Sequence, residues 1–105
     1  MRAGTVPLVG VLPPRLLAAL TGASLRSAQR WRGGTVPRPA TAARLRETDA
    51  ILDLLGRGSS PRARRAWLEA PNPVLAGDRP LDRIARGDLE PVRGAAAGYG
   101  AGDFV

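Results

Sequence analysis

The stretch Pro14-Arg15-Leu16-Leu17-Ala18-Ala19-Leu20-Thr21-Gly22-Ala23-Ser24-Leu25-Arg26-Ser27-Ala28-Gln29-Arg30-Trp31-Arg32-Gly33 carries two short amphipathic patterns separated by one glycine. Leu16, Leu17 and Leu20 recur at helical spacing, and Pro14 suits a first turn, where its missing N–H has no helical partner in any case. Thr21-Gly22 ends that helix, with Gly22 supplying the positive φ of a tight turn. Ser24 is an N-cap residue for a second helix, Leu25–Arg32, closed by Gly33-Gly34. Two short helices about a glycine turn, with small Ala18 at their crossing, form a helix-turn-helix pattern. Leu25, Ala28 and Trp31 (i, i+3, i+6) are expected to face inward. Arg26, Ser27, Gln29 and Arg30 then face outward, where each can hydrogen-bond base edges or phosphates, and Arg32 and Arg38 lie near enough to reach a DNA backbone. A plain helical hairpin with a solvated arginine face fits the same spacing, and Thr21 occupies a slot more often filled by a bulky apolar residue.

Outward from this stretch the pattern stays helical. Residues 1–13 are punctuated by Gly and Pro and are expected to form a flexible N-terminal arm. Thr41 is placed to cap a longer helix reaching Leu55, with Leu45, Thr48, Ile51, Leu52 and Leu55 along one stripe, before Gly56 stops it. Its polar face mixes Arg44, Arg46, Glu47, Asp49 and Asp53, the pattern of a solvated or dimer-facing helix. Ser59-Ser60-Pro61 opens a helix around Trp67, expected in the core, which stops before Pro71. A single turn at Val74-Leu75, a turn at Gly77, and a short helix from Pro80 through Leu81 and Ile84 to Gly87 follow. Asp88 is set to cap a last, weak helix, since Gly94 and Gly98 each cost about 1 kcal/mol relative to Ala. Residues 100–105 should lack regular structure. No strand alternation occurs, so the expected fold is all-α: arm 1–13, helix-turn-helix region 14–56 and helical module 57–105.

Composition narrows the chemistry. At 105 residues and 11.0 kDa there is room for one domain or two very small ones. Apolar residues reach 44%, but 18 of them are Ala, so the core is thin and a partner or self-association is expected to complete it. Cys and His are both absent. That removes disulfides, thiolate zinc sites, imidazole acid–base chemistry and histidine metal ligation, so no catalytic residue, metal or cofactor is assigned. Sixteen basic residues, all Arg, against nine acids give a net charge of +7, which favours nucleic acid or an acidic protein surface as partner. All-Arg usage has a second source, a GC-rich genome, and the two explanations stand together. Arg62, Arg64 and Arg65 crowd a first helical turn, where the dipole disfavours cations. Arg2 ahead of an apolar run resembles a signal peptide, but Pro7, Pro13, Pro14 and Arg15 interrupt it and no run approaches the ~20 residues of a membrane span. The expectation is a cytoplasmic protein.

The segment 67–88 carries a resemblance. Asn72, Pro73, Leu75, Gly77, Pro80, Leu81, Ile84 and Gly87 follow one another in the order found in the toxin-binding module of the Xre/MbcA/ParS-type antitoxins. Upstream, an Xre-like helix-turn-helix with Trp31 near the end of its second helix, and then a long helix, fall in the same order. Trp67, Asn72, Pro73, Leu75, Gly77, Pro80 and Gly87, with Gly22 and Trp31, are thus the expected structural motif. The chain looks nearest the MbcA type. Pro73 and Pro80 preset φ on either side of Gly77 whatever the family, although a plain helical corner would use them equally well. The tail is less ordinary. Two of the four aromatics, Tyr99 and Phe104, fall in the last seven residues among glycines.

The resemblance implies a partner, a RES-domain toxin that degrades or transfers from NAD, whose active site the antitoxin's C-terminal region covers. Tyr99, Asp103, Phe104 and Val105 are the implied toxin-binding residues, with Asp103 and the terminal carboxylate suited to a pocket built for anionic phosphates. It further implies operator DNA as a second partner, a homodimer, and a higher hetero-oligomer with toxin. A stand-alone helix-turn-helix regulator is the alternative, and a basic RNA-associated protein a third reading resting on charge alone.

Overall fold

In a computed structural model, residues 7–101 are described; they form seven α-helices and one 3₁₀ turn, with no strand among them. The all-α expectation holds. The chain divides into two compact units between Asp49 and Ala50, inside its longest helix.

In unit 1, residues 1–6 of the expected arm 1–13 lie outside those described, and the remainder is corrected: Pro7–Val11 form a helix, α1. Leu8 and Leu12 are spaced i, i+4 and are 2% and 0% exposed. Pro7 stands at the first helical position, where its ring fits, and Pro13 follows the helix, so neither breaks it. In α2 (Pro14–Thr21), Leu16, Leu17 and Leu20 are buried, and Gly22, at φ 77°, donates its N–H to the Ala18 carbonyl. The Thr21 hydroxyl donates to the Leu17 carbonyl at 2.8 Å and accepts from the Ala23 N–H at 3.3 Å. A hydroxyl therefore closes the turn where a bulky apolar side chain was expected.

Ser24 caps α3 (Leu25–Arg32), its hydroxyl accepting from the Ser27 N–H at 3.0 Å. The inward face is narrower than its spacing suggested. Ala28 is fully buried, but Leu25 is 51% exposed and Trp31 half-buried. On a helix, i±3 neighbours lie about 60° either side of the central residue, so on this short helix only the small central residue is enclosed. α4 (Pro39–Asp53) starts two residues before the expected Thr41 cap: Pro39 takes the first position, and the Arg38 carbonyl accepts from the Ala42 N–H at 2.8 Å. Its apolar stripe Leu45, Thr48, Ile51 and Leu52 is buried as expected, and so is Leu55, although the helix stops at Asp53, two residues short of the expected end. The buried Thr48 hydroxyl is satisfied inside the helix by the Arg44 carbonyl at 2.8 Å.

Unit 2 contains α5 (Pro61–Glu69), the 3₁₀ turn Pro73–Leu75, α6 (Pro80–Ala85) and α7 (Leu89–Gly100). Ser60 caps α5, accepting from the Ala63 N–H at 3.0 Å. Leu68, Leu75, Leu81, Ile84, Val92, Ala95 and Ala96 are buried. Six-residue α6 is too short to persist alone, so its stability comes from packing. Two expectations change here. Trp67 is half-buried rather than core. The last helix runs twelve residues, to Gly100, because Pro91 sits in the first turn, where no helical N–H bond is lost, and Val92, Ala95 and Ala96 are sealed. A Cβ on Gly100 would fall on the Leu54 carbonyl oxygen, so only glycine lets the end of α7 lie there.

Candidate functional site

Charge separates the two units. Residues 1–49 hold eight arginines and two acids, and residues 50–105 hold eight arginines and seven acids. The positive balance of the chain therefore sits almost wholly in unit 1.

In unit 1, Arg26, Gln29, Arg30, Arg32 and Arg38 are exposed and Ser27 is half-buried. Ser24 donates its hydroxyl hydrogen to the Ser27 hydroxyl oxygen at 3.1 Å. A groove of about 450 Å³ gathers three of the six expected DNA-binding residues, Ser27, Arg30 and Arg38, beside Trp31, Thr35 and Thr41. Arg26, Gln29 and Arg32 lie outside its lining.

Unit 2 is built around a folded corner, residues 72–88. The Asn72 side-chain oxygen accepts from the Val74 N–H at 2.9 Å, while its backbone N–H donates to Asp78 at 3.0 Å and its carbonyl accepts from Gly77 at 2.9 Å. Ala76 and Gly77 reverse the chain at φ 57° and 88°, a region that costs a residue with a Cβ roughly 1–2 kcal/mol. Arg83 fastens this corner. Its guanidinium donates to the Asp78 carboxylate at 2.8 Å, to the Leu75 carbonyl at 2.9 Å and to the Asp88 carboxylate at 2.9 Å. Asp88, expected to cap α7, turns its side chain to Arg83 instead, because a guanidinium is the stronger partner. Arg86 adds a second cation to Asp78 at 3.1 Å, and Arg79 grips Asp82 with two bonds of 2.9 Å.

These contacts set the acid response of the unit. Hydrogen bonds from Arg83 and then Arg86 hold the Asp78 carboxyl below its ordinary 3.8, and Arg79 does the same for Asp82. The paired carboxylates hold Arg83 and Arg79 above the usual arginine value. A carboxyl whose folded value is depressed contributes stability that is complete above its unfolded value and is lost as pH falls through the folded one. The unit 2 melting temperature should thus be flat from pH 7 to 5 and fall below about pH 4, near the unfolded carboxyl values. Arg83→Met is expected to lower it by several degrees at neutral pH and to flatten that acid limb, since Asp78 then loses its principal partner. Thermal melts across pH 2–7 check both, and high salt should shrink the difference because the pairs are partly exposed.

Beside the corner lies an apolar cleft of about 190 Å³, walled by Trp67, Ala70, Pro71, Asn72, Pro73 and Tyr99. Tyr99 is 48% exposed, and Val74, next in sequence to the cleft residue Pro73, is 50% exposed. Tyr99 is thus one wall of a cleft, not part of a featureless tail. Asp103, Phe104 and Val105 lie outside the described residues. Sequence reading missed Arg83 and Asp78. Their contacts span five residues in each direction, off the helical i, i+4 spacing: Asp78 precedes α6 and Asp88 follows the Gly87 turn, so the backbone at the two ends of that helix brings them to Arg83.

The motif residues Asn72, Pro73, Leu75, Gly77, Pro80 and Gly87 all fall in this corner. The family model for the antitoxin Xre/MbcA/ParS C-terminal toxin-binding domain matches residues 49–96. A relative from Mycobacterium tuberculosis (strain H37Rv), named a probable mycobacterial cidal antitoxin, is 36% identical over 89 residues, covering 85% of this chain and 76% of its own length. No solved structure matches. The matched family segment begins at the last residue of unit 1 and takes in the whole Arg83-fastened corner, so sequence likeness and compact packing pick out the same module: the chain belongs to the Xre/MbcA/ParS family of antitoxins.

Proposed function

We propose that this antitoxin neutralises a RES-domain, NAD-consuming toxin in the cytoplasm by covering its active site with the C-terminal region, as part of a type II system. The observation that carries the reading is the half-exposed Tyr99 on the aromatic cleft at the end of α7, in a chain with four aromatics. Exposed aromatics beside an apolar cleft are what a protein interface uses as anchors. Tyr99, Asp103, Phe104 and Val105 are the proposed toxin contacts, Asp103 standing in for an anionic group of the toxin's own ligand. The concentration of positive charge in unit 1, with exposed Arg26, Arg30, Arg32 and Arg38, supports a second role, repression of the antitoxin's own operon through α2 and α3. A homodimer joining two such units, and a larger assembly with toxin, fit that role.

The neighbouring reading frame is expected to encode the RES-domain toxin; co-expression with it should restore growth, and the two chains should co-purify. Unrestored growth with no complex would overturn the toxin assignment.

A further inference from the structure

The groove in unit 1 divides the polar residues of α3 into two sets. Ser27, Arg30 and Trp31 (i, i+3, i+4) line it, together with Thr35, Arg38 and Thr41 from the segment that follows. Arg26, Gln29 and Arg32 (i, i+3, i+6) are outside the lining; Gln29 and Arg32 lie about 100° or more round the helix from each of Ser27, Arg30 and Trp31, and Arg26, about 40° from Arg30, borders the groove. The groove and the outer face of α3 are therefore different surfaces with different chemistry.

The lining is one-sided. It offers two guanidinium groups, four hydroxyls and an indole, and no carboxylate. The guanidinium groups of Arg30 and Arg38 have no hydrogen-bond or ion-pair partner among the described residues, their only bonds being those of the backbone. Such a set matches a group carrying several acceptor oxygens and little else. At about 450 Å³ the space exceeds a bare oxyanion and leaves room for the sugars on either side, with the Trp31 ring as an apolar wall. The approach at the turn is open: nothing lies within 4 Å of a Cβ built on Gly22.

We propose that this groove seats one phosphate of a DNA backbone, Arg30 and Arg38 clamping its two non-bridging oxygens, while Arg26 and Gln29 on the adjacent face read bases. The proposal rests on the DNA-binding part of the function above, and it assigns Ser27 and Arg30 to positioning instead of sequence readout. A phosphate clamp supplies affinity without regard to sequence and carries a counterion-release signature, whereas a base contact carries discrimination.

The test titrates the full-length protein against two labelled duplexes, one from the region preceding its own reading frame and one scrambled at equal composition, between 50 and 200 mM salt. Arg30→Gln/Arg38→Gln should weaken binding to both duplexes by the same factor, about tenfold, and lower the slope of log K against log salt by about one. The preference between duplexes should stay within about twofold, whereas Arg26→Ala should reduce that preference by about fivefold or more. Loss confined to the cognate duplex would overturn the clamp and return Arg30 to base reading. So would competition by adenosine monophosphate against wild type with an unchanged salt slope in the variant, which would mark a small-nucleotide seat. Wild-type protein that binds neither duplex would sink the DNA reading itself, and that failure shows before any substitution is made.

Discussion

Truncation after Ala101 is expected to abolish growth rescue and to weaken the toxin complex at least about 100-fold, ~2.7 kcal/mol, while DNA affinity changes less than about twofold. The removed residues, Gly102-Asp103-Phe104-Val105, include one of four aromatics and a carboxylate. A buried aromatic anchor accounts for about 2 kcal/mol or more in an interface, and a charge-assisted hydrogen bond from Asp103 adds to it. Phe104→Ala alone should cost at least about tenfold and Asp103→Asn less, as expected if packing dominates. Tyr99→Ala, in a cleft wall that survives truncation, should weaken the complex further. Calorimetry against purified toxin, with gel shifts on the same samples, separates the two activities. Rescue that persists in the truncated chain would move neutralisation into the matched segment 49–96, with the Arg83 corner and exposed Val74 as its surface.

Local chemistry made most helix boundaries readable. Ser24, Ser60, Gly22 and the prolines at 14, 61 and 80 act through their own backbone and nearest neighbours, so their roles survive whatever packs around them. What the sequence concealed depends on neighbours distant along the chain. Leu8 and Leu12 have helical spacing, yet α1 forms only because packing encloses them, a benefit no propensity contains. Pro7, Gly10 and Pro13 looked like breakers for the same reason. Leu25 and Trp31 share the inward spacing of Ala28, and the narrowness of the buried strip leaves them out of the core.

The sites follow the same division. The arginines of α3 were legible as an exposed basic face, because charged residues on a short helix have nowhere else to go. Their separation into a groove-lining set and an outer set was not, since it depends on where residues 35–41 run. Arg83 illustrates the point from the other side. In the sequence it is one basic residue among sixteen, and only the folded corner gives it two carboxylates and a carbonyl.

Ile84→Ala is expected to destabilise unit 2 by about 2–5 kcal/mol, the range for emptying a sealed aliphatic site. Ile84 is 0% exposed in α6, a helix of six residues that also buries Pro80 and Leu81. α7, which packs on α6, buries Ala95 and Ala96, whose methyl groups cannot reorient to fill a hole. A small domain sits near the low end of the usual 5–15 kcal/mol, so the loss is a large share of its total and should leave much of unit 2 unfolded at 37 °C. Ile84→Val, which removes one methyl, should cost about 0.5–1.5 kcal/mol and keep a cooperative transition. The chain places one tryptophan in each unit, Trp31 and Trp67. In a Trp31→Phe background, Trp67 emission during urea titration therefore reports unit 2 alone. If Ile84→Ala shifts that transition no further than Ile84→Val, the cavity has been filled by rearrangement and unit 2 is more plastic than its packing implies. If it shifts as expected, toxin binding should fall with the folded fraction and return as added toxin draws unit 2 back to its native form, which is mass action and not a contact made by Ile84.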